Sequence, residues 1–494
     1  MTFSFGKPDV RIGGPGDEPA APSSGTPFHV LLIGDFTGRA SRGVQAPLRG
    51  RRSVQVDRDT LEDVMERLGT GLSVPLGDGS APAQLTFKEL EDFHPDTLFS
   101  RVSAFQELVA LRARLENPKT FEAAAKEMGA LMEPEPAPAE PSGSGSILDA
   151  ILSGSTAPPP SAPLAKTDAA LTSLAARLAA PFVVAREHPQ KAELLAAADQ
   201  SLAEAMRRVL HDARFQELEC AWRSVDFLIR RLDDESEVVL HLLDVSRAEL
   251  AADLAGDDLS ASQLYRILVS ETVDTPGEDP WALAASFFTF DATAADAELL
   301  GRLSRLAKAA GAPFVATAHP RLAGCDATNL HGSPEDWTFR PDAESAAAWA
   351  ALRALPSAGF AGLALPRFLL RLPYGKTTEP IERFEFEELA GHETYLWGPP
   401  AVLVTLVLAQ GFERDGWDLD LTGQDVEDLP LHVTGRGAEA RTTPCAETVL
   451  TIKAAEHLAG RGLIAMLSIK DRDTVRVPGF PSITGKPLSG RFGD

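Results

Sequence analysis

Phe28-His-Val-Leu-Leu-Ile-Gly-Asp-Phe36 is a short apolar run closed by Gly-Asp. Its length and its stop read as a buried β-strand. Val238-Val-Leu-His-Leu-Leu-Asp244 is a stronger example of the same pattern. Trp281 to Phe290, Ala312-Pro-Phe-Val-Ala-Thr-Ala318 and Phe360-Ala-Gly-Leu-Ala-Leu365 continue the series. Helical patterns separate these runs: Ala294 to Ala310 stops at Gly311, and Ala401 to Asp415 starts behind Pro399-Pro400. Strands alternating with helices predict an α/β fold on a mostly parallel sheet. Ser53 to Asp57 and Gln84 to Phe87 read as further short strands. Arg58 to Leu68 reads as a helix with Asp59 as its cap and Glu62 three residues later. Asp96 to Leu115 carries apolar residues at helical spacing, and Ala192 to Leu232 is periodic throughout.

Composition divides the chain. Residues 1–27 are polar and rich in Gly and Pro, which predicts a flexible arm. Residues 28–132 form a first domain. Eight prolines fall between Glu133 and Leu164, with Gly and Ser between them, which reads as a linker. Leu171 to Ala185 is Ala/Leu-rich and helical in pattern, and residues 165–494 form a second, larger domain. One apolar island interrupts the linker. Ile147, Leu148, Ile151 and Leu152 are spaced for a single helical face, either a stray turn or a short docking helix.

The whole 494-residue chain carries 47 Lys+Arg against 71 Asp+Glu, a formal charge of −24. A nucleic-acid binder needs a basic footprint, and an anionic membrane surface repels such a chain. No secretory signal opens the sequence, and its longest apolar stretch falls far short of the ~20 residues that span a bilayer. Cys220, Cys325 and Cys445 lie too far apart for a disulfide framework or paired metal ligands. The chain reads as cytoplasmic.

Chemical motifs are lacking. Gly375-Lys-Thr377 resembles the end of a phosphate-binding loop, but the glycine that should precede Gly375 by five is Leu370. His392-Glu393 continues Thr-Tyr-Leu, so no zinc face forms. Glu379 to Glu388 is acidic, and such a run reads first as a solvated face. Nothing nominates a catalytic constellation, a cofactor or a metal.

Other segments are more specific. Ala213-Arg-Phe-Gln-Glu-Leu-Glu-Cys-Ala-Trp-Arg-Ser-Val225 resembles the F-Q-x-L-E-x-x-W-R signature of the large sheath subunit of bacterial type VI secretion systems. Leu363-Ala-Leu-Pro-Arg-Phe-Leu-Leu-Arg-Leu-Pro-Tyr-Gly-Lys376 looks like that family's most distinctive motif. Phe384 to Glu388, His392 to Gly398, Ala312 to Val315 and Leu429 to His432 keep the family's order. The first domain resembles the small sheath subunit in Leu31 to Gly38, Pro47 to Arg52, Val56 to Met65 and Leu85 to Asp96. The family usually keeps these as two chains; here one chain carries both. The large subunit also normally continues beyond the segment matching Leu463 to Ser468, whereas this sequence turns Gly/Pro-rich there.

The resemblance implies mixed α/β sheath domains whose sheets are flanked by helices and whose extended arms exchange strands between subunits. It implies a non-enzymatic, cofactor-free structural subunit that assembles with copies of itself around an inner tube, on a baseplate, and contracts. It also implies a recycling AAA+ ATPase that recognises a short helix near the large subunit's start, where Ile147, Leu148, Ile151 and Leu152 lie. Arg367 and Arg371, four residues apart, are either satisfied within the domain or paired across a subunit boundary. With Arg49, Arg51, Arg52, Glu385, Glu387 and Glu388 they form the candidate assembly set. The rival readings are a non-polymerising sheath-derived adaptor or cap, and an α/β enzyme with an unrecognised site.

Overall fold

The computed structural model describes residues 3–6, 22–23, 25–75, 82–132, 191–326, 330, 333–420, 422–435 and 440–492. The linker, the Ile147–Leu152 island and the 171–185 helical pattern lie outside these residues. Two units form: residues 1–103 with 203–494, and residues 104–202.

The larger unit is built on seven strands: β1 (Phe28–Gly34), β2 (Val54–Val56), β3 (Val238–Asp244), β4 (Trp281–Phe290), β5 (Phe314–Ala318), β6 (Ala361–Leu365) and β7 (Ile464–Ala465). Their order is β7-β6-β5-β4-β1-β3-β2, parallel except for β2 on β3. β1, from the first half, lies inside the second half's sheet. Phe28 pairs with Val238 on one side, and His29 with Trp281 on the other. Strands covered on both faces read as continuous apolar runs. That is why β1, β3 and β5 were legible without alternation.

Three helices, α1 (Ala213–Arg231), α2 (Ala294–Ala310) and α3 (Pro400–Asp415), flank this sheet. α2 packs with helices Ala343–Arg353 and Ile452–Gly460 over the face showing Leu31, Ile33, Leu243, Ala316 and Leu363. On the opposite face, Phe28 meets Phe412 of α3 at 5.0 Å. Phe36, just beyond β1, meets Trp222 of α1 at 5.6 Å. Phe5 is buried against α2. A Cβ on Gly301 would sit 2.2 Å from the Phe5 ring, so the helix carries glycine where the ring lies. Residues 3–6 of the arm are therefore held, which polar composition did not foretell.

Local boundaries differ from the sequence reading in three places. Thr60, not Asp59, precedes the helix Leu61–Leu68. Asp57 makes the turn instead, its Oδ1 accepting from the Asp59 and Thr60 N–H groups. Val102 is extended and splits the second pattern into helices Pro95–Arg101 and Ser103–Glu116. Asp212, also extended, ends the helix Lys191–Leu210 and caps α1 by accepting the Arg214 N–H. Apolar periodicity runs across such breaks because the helices on either side still bury one face.

In the smaller unit, Leu111, Leu115, Phe121, Ala124, Met128 and Ala198 form a core of their own. Arg112 holds Asp199 at 2.5 Å and Glu116 at 2.7 Å.

His29 and His241 face each other across β1 and β3, Nδ1 to Nε2 at 3.1 Å, so one proton lies between those two nitrogens. Asp279 lies 3.9 Å from the far nitrogen of His29, and both rings lie against Trp281. Burial, then the neighbouring His29, pushes His241 down to about 4. The unfolded chain takes up its proton near pH 6.5. The His241 contribution should therefore cost about 2–3 kcal/mol of stability as pH drops from about 6.5 to about 4, and level off below. Urea midpoints at pH 7.5 and pH 5 measure this. His241→Gln should shrink the difference, since half-buried His29, His211 and His319 are lowered as well, and an unchanged slope in that variant would refute the assignment.

Candidate functional site

The two halves of the chain meet where β1 ends. Gly34 pairs with Asp244 at the end of β3, and the chain then turns through Asp35-Phe-Thr-Gly38. Gly38 has φ of 66°, and a Cβ there would lie 2.2 Å from the Gly71 carbonyl oxygen. Glycine alone fits that turn. Asp244 takes the turn's donors: the Phe36 N–H at 2.9 Å, the Thr37 N–H at 3.1 Å and the Thr37 hydroxyl at 2.9 Å. Trp222 Nε1 donates to the Phe36 carbonyl at 2.8 Å. The tryptophan of the F-Q-x-L-E-x-x-W-R pattern thus anchors the small-subunit-like half.

Glu249 does the same for the basic loop. Its carboxylate accepts from Arg39 Nε at 2.9 and 3.0 Å and from Arg39 Nη2 at 2.8 Å. It also accepts from Arg51 Nη1 at 3.1 Å and from the Ala46 and Ser246 N–H groups at 2.8 and 3.0 Å. Burial pushes this carboxyl up, but the two guanidiniums and the backbone donors outweigh it and hold it well below the usual carboxylate range. Arg51 Nη1 also donates to the Asp244 carbonyl at 2.7 Å. Arg51 is therefore half-buried, whereas Arg49 and Arg52 are exposed. Ser246-Arg-Ala-Glu249 is a capping box. That S-x-x-E spacing was visible in the sequence, and it marks the carboxylate the loop needs.

A second cluster lies beneath α1. Arg371 is buried between two buried carboxylates. Its Nε reaches Glu219 at 2.8 Å, and its Nη1 and Nη2 reach Glu388 at 2.8 and 2.9 Å. Arg223 donates to Glu219 at 2.7 Å and to the Tyr374 hydroxyl at 3.0 Å. The Tyr374 N–H donates to Glu388 at 2.7 Å. The Arg371 guanidinium lies 4.2 Å from the Tyr374 ring centre. Two guanidiniums and two carboxylates leave no net charge in the cluster, which is what burial requires. Burial alone would lower Arg371, but Glu219 and Glu388 keep it charged. Burial pushes Tyr374 up to about 12, so it serves as a neutral hydroxyl.

The first half touches this cluster as well. His94 stands edge-on to Tyr374 at 5.0 Å, and Asp96 accepts the N–H groups of Glu382 and Arg383. The segments Phe-Gln-Glu-Leu-Glu219, Arg371-Leu-Pro-Tyr374 and Phe-Glu-Phe-Glu-Glu388 are thus parts of one buried structure. Arg371 and Glu388 are buried, and both are satisfied within the chain. Arg367 is exposed and paired with Glu447 through two bonds of 2.9 and 2.6 Å. Glu385 and Glu387 are exposed. Among the described residues no group of three or more His, Cys, Asp or Glu is placed to hold a metal, and no helix is long and apolar enough to cross a membrane.

Residues 192–484 match the family model of VipB (EvpB/VC_A0108, tail sheath N-terminal domain), which is more than half of the chain. The chain belongs to the VipB tail-sheath family. Residues 18–132 match a second model, described as type VI secretion system, VipA, VC_A0107 or Hcp2. Over 302 residues the chain is 29% identical to the type VI secretion system sheath protein TssC1 of Pseudomonas aeruginosa. That alignment takes in 59% of this chain and 60% of the relative's length. The family is one of structural sheath proteins, and this chain carries a region matching each of the two models. The two sheath-type domains meet at Asp244, Glu249 and Trp222.

Proposed function

We propose that the chain is a sheath protomer in one polypeptide. Copies stack helically around an inner tube, engage a baseplate, and shorten together to propel the tube. The observation that supports this most is the place of β1, which puts the small-subunit-like half inside the large-subunit-like half's sheet. A protomer joined this way rotates as one body, so a change of packing between copies passes along the stack undiluted. Head-to-tail contacts that do not close on themselves generate such stacks.

Electron microscopy of the purified full-length chain tests this. Hollow tubes of regular repeat are expected; discrete particles of one size would mean a sheath-derived adaptor or cap instead. Arg49 and Arg52 are the members of the basic loop free for contacts between copies, because Arg51 is committed to Glu249. Arg49→Glu with Arg52→Glu should leave the unfolding midpoint unchanged and move tube formation to higher salt, since exposed pairs are screened and individually weak. Normal tubes at low salt from this variant would remove the loop from the interface. For recycling, polar substitution of Ile147, Leu148, Ile151 and Leu152 should leave tubes intact and abolish capture by the AAA+ ATPase.

A further inference from the structure

The face of the sheet that carries α2 holds a cavity of about 380 Å³, lined by Arg321, Phe339, Arg340, Trp349, Arg353 and Arg461 among others. Arg321 is paired with Asp291 at 3.0 Å. The other three arginines have no carboxylate partner among the described residues. Arg340 donates to the carbonyls of Trp337 and Phe339, and Arg353 donates to that of Ile483. The Arg461 guanidinium lies against Gly324, where a Cβ would come within 3.1 Å of it. Burial, and then the charge of Arg461, lowers Arg353; burial, and then the charge of Arg340, lowers Arg461. The three cations thus share one positive field. A chain of net charge −24 has many carboxylates to offer, yet none of those described pairs with these three arginines. Guanidiniums gathered on one cavity without a carboxylate partner are a receptor for an oxyanion, and their planar forks suit a carboxylate.

The opposite face offers the complement. Beyond α3 the chain turns through Gly416-Trp-Asp-Leu-Asp420. Trp417 donates to the Thr26 carbonyl at 2.9 Å and packs 5.4 Å from the Phe28 ring, and Leu419 is buried. That fixes the loop and leaves Asp418 and Asp420 exposed on either side of Leu419. Asp415 is paired with Arg414, and Asp425 with Arg476. Asp418 and Asp420 have no ion-pair partner among the described residues.

We propose that the arginine pocket receives the carboxylates of Asp418 and Asp420 from a second copy of this chain. Pocket and loop lie on opposite faces of one sheet, so a copy cannot fill its own pocket. The contact is head-to-tail and propagates instead of closing. This deepens the sheath reading, on which it rests, by naming one contact that joins successive copies.

Charge exchange in the full-length chain tests it, with the concentration needed for pelleting as the readout and thermal unfolding as the fold control. Arg340→Glu with Arg461→Glu should raise that concentration at least tenfold. Asp418→Lys with Asp420→Lys, on an exposed loop, should do the same. Mixing the two variants one to one should restore pelleting well above either variant alone, since a stack in which the two alternate matches every contact. Combining all four substitutions in one chain should restore it to within about threefold of wild type, because every contact is then re-paired. If wild type pellets and either double variant pellets equally well, the proposal fails while the sheath reading stands. If wild type never pellets at any concentration or salt, both fail. Titration with inorganic phosphate supplies a third arm: phosphate binding lost in Arg340→Glu with Arg461→Glu, together with unchanged pelleting, would make the pocket a small-anion site and overturn the proposal.

Discussion

Arg371→Met should destabilise the chain by about 3–5 kcal/mol, the range expected when one partner of a buried ion pair is removed. The reason is what stays behind. Glu219 and Glu388 are buried, and each would lose the guanidinium that now balances it. Arg223 still reaches Glu219 at 2.7 Å, so the heavier loss falls on Glu388, whose remaining donor is the Tyr374 N–H. An unpaired carboxylate at that depth is what makes the loss large. Urea unfolding of the parent and the variant reads the loss. Arg371→Met with Glu388→Leu should recover most of the loss, because removing both partners leaves no orphaned charge. A double variant as unstable as the single one would mean that Arg371 acts through packing on Tyr374 and not through charge.

The sequence disclosed which segments mattered here but not that they touch. Glu219 and Arg371 are separated by 152 positions, and Arg371 and Glu388 by 17. Single-sequence periodicity reports which face of an element is buried, not against what. β1 illustrates the same limit. Its apolar run was legible, and so was its stop at Gly34-Asp35, but its insertion between β3 and β4 depends on pairing with residues more than 200 positions away. The family resemblance named the motifs without assigning their partners. Phe5 was hidden for a different reason: a short aromatic segment in a Gly/Pro-rich arm has no periodicity to read. Its one trace was Gly301 in the middle of α2, where a helix former would be cheaper. Asp244 and Glu249 were missed because one ends a strand and the other opens a helix, places where carboxylates are common for local reasons.

Glu249→Leu should release the loop from Arg39 to Arg51 without unfolding the sheet. Glu249 is buried, and Arg39 and Arg51 are only partly exposed, so the substitution strands two guanidiniums and the N–H groups of Ala46 and Ser246. The arginines lie near enough to the surface to find water after a small movement, which places the cost at about 2–4 kcal/mol, toward the lower end for a broken buried pair. The loop should move to find that water. Hydrogen exchange at residues 36–51 should accelerate, and trypsin should cut after Arg39, Arg42 or Arg49 at least tenfold faster, while β3 and β4 keep their protection. The pH dependence is specific to the carboxylate. Glu249 is held well below its ordinary value, so the native state binds fewer protons than the unfolded chain once pH falls below about 4.3. Its contribution is therefore full above that pH and is lost as pH falls toward the native value. The stability gap between the parent and Glu249→Leu should be constant from pH 8 to 5 and should narrow from pH 4 to 2. A gap that stays constant down to pH 2 would mean that the leucine disturbs packing and that the ion pairs with Arg39 and Arg51 contribute nothing to holding the small-subunit-like half in place.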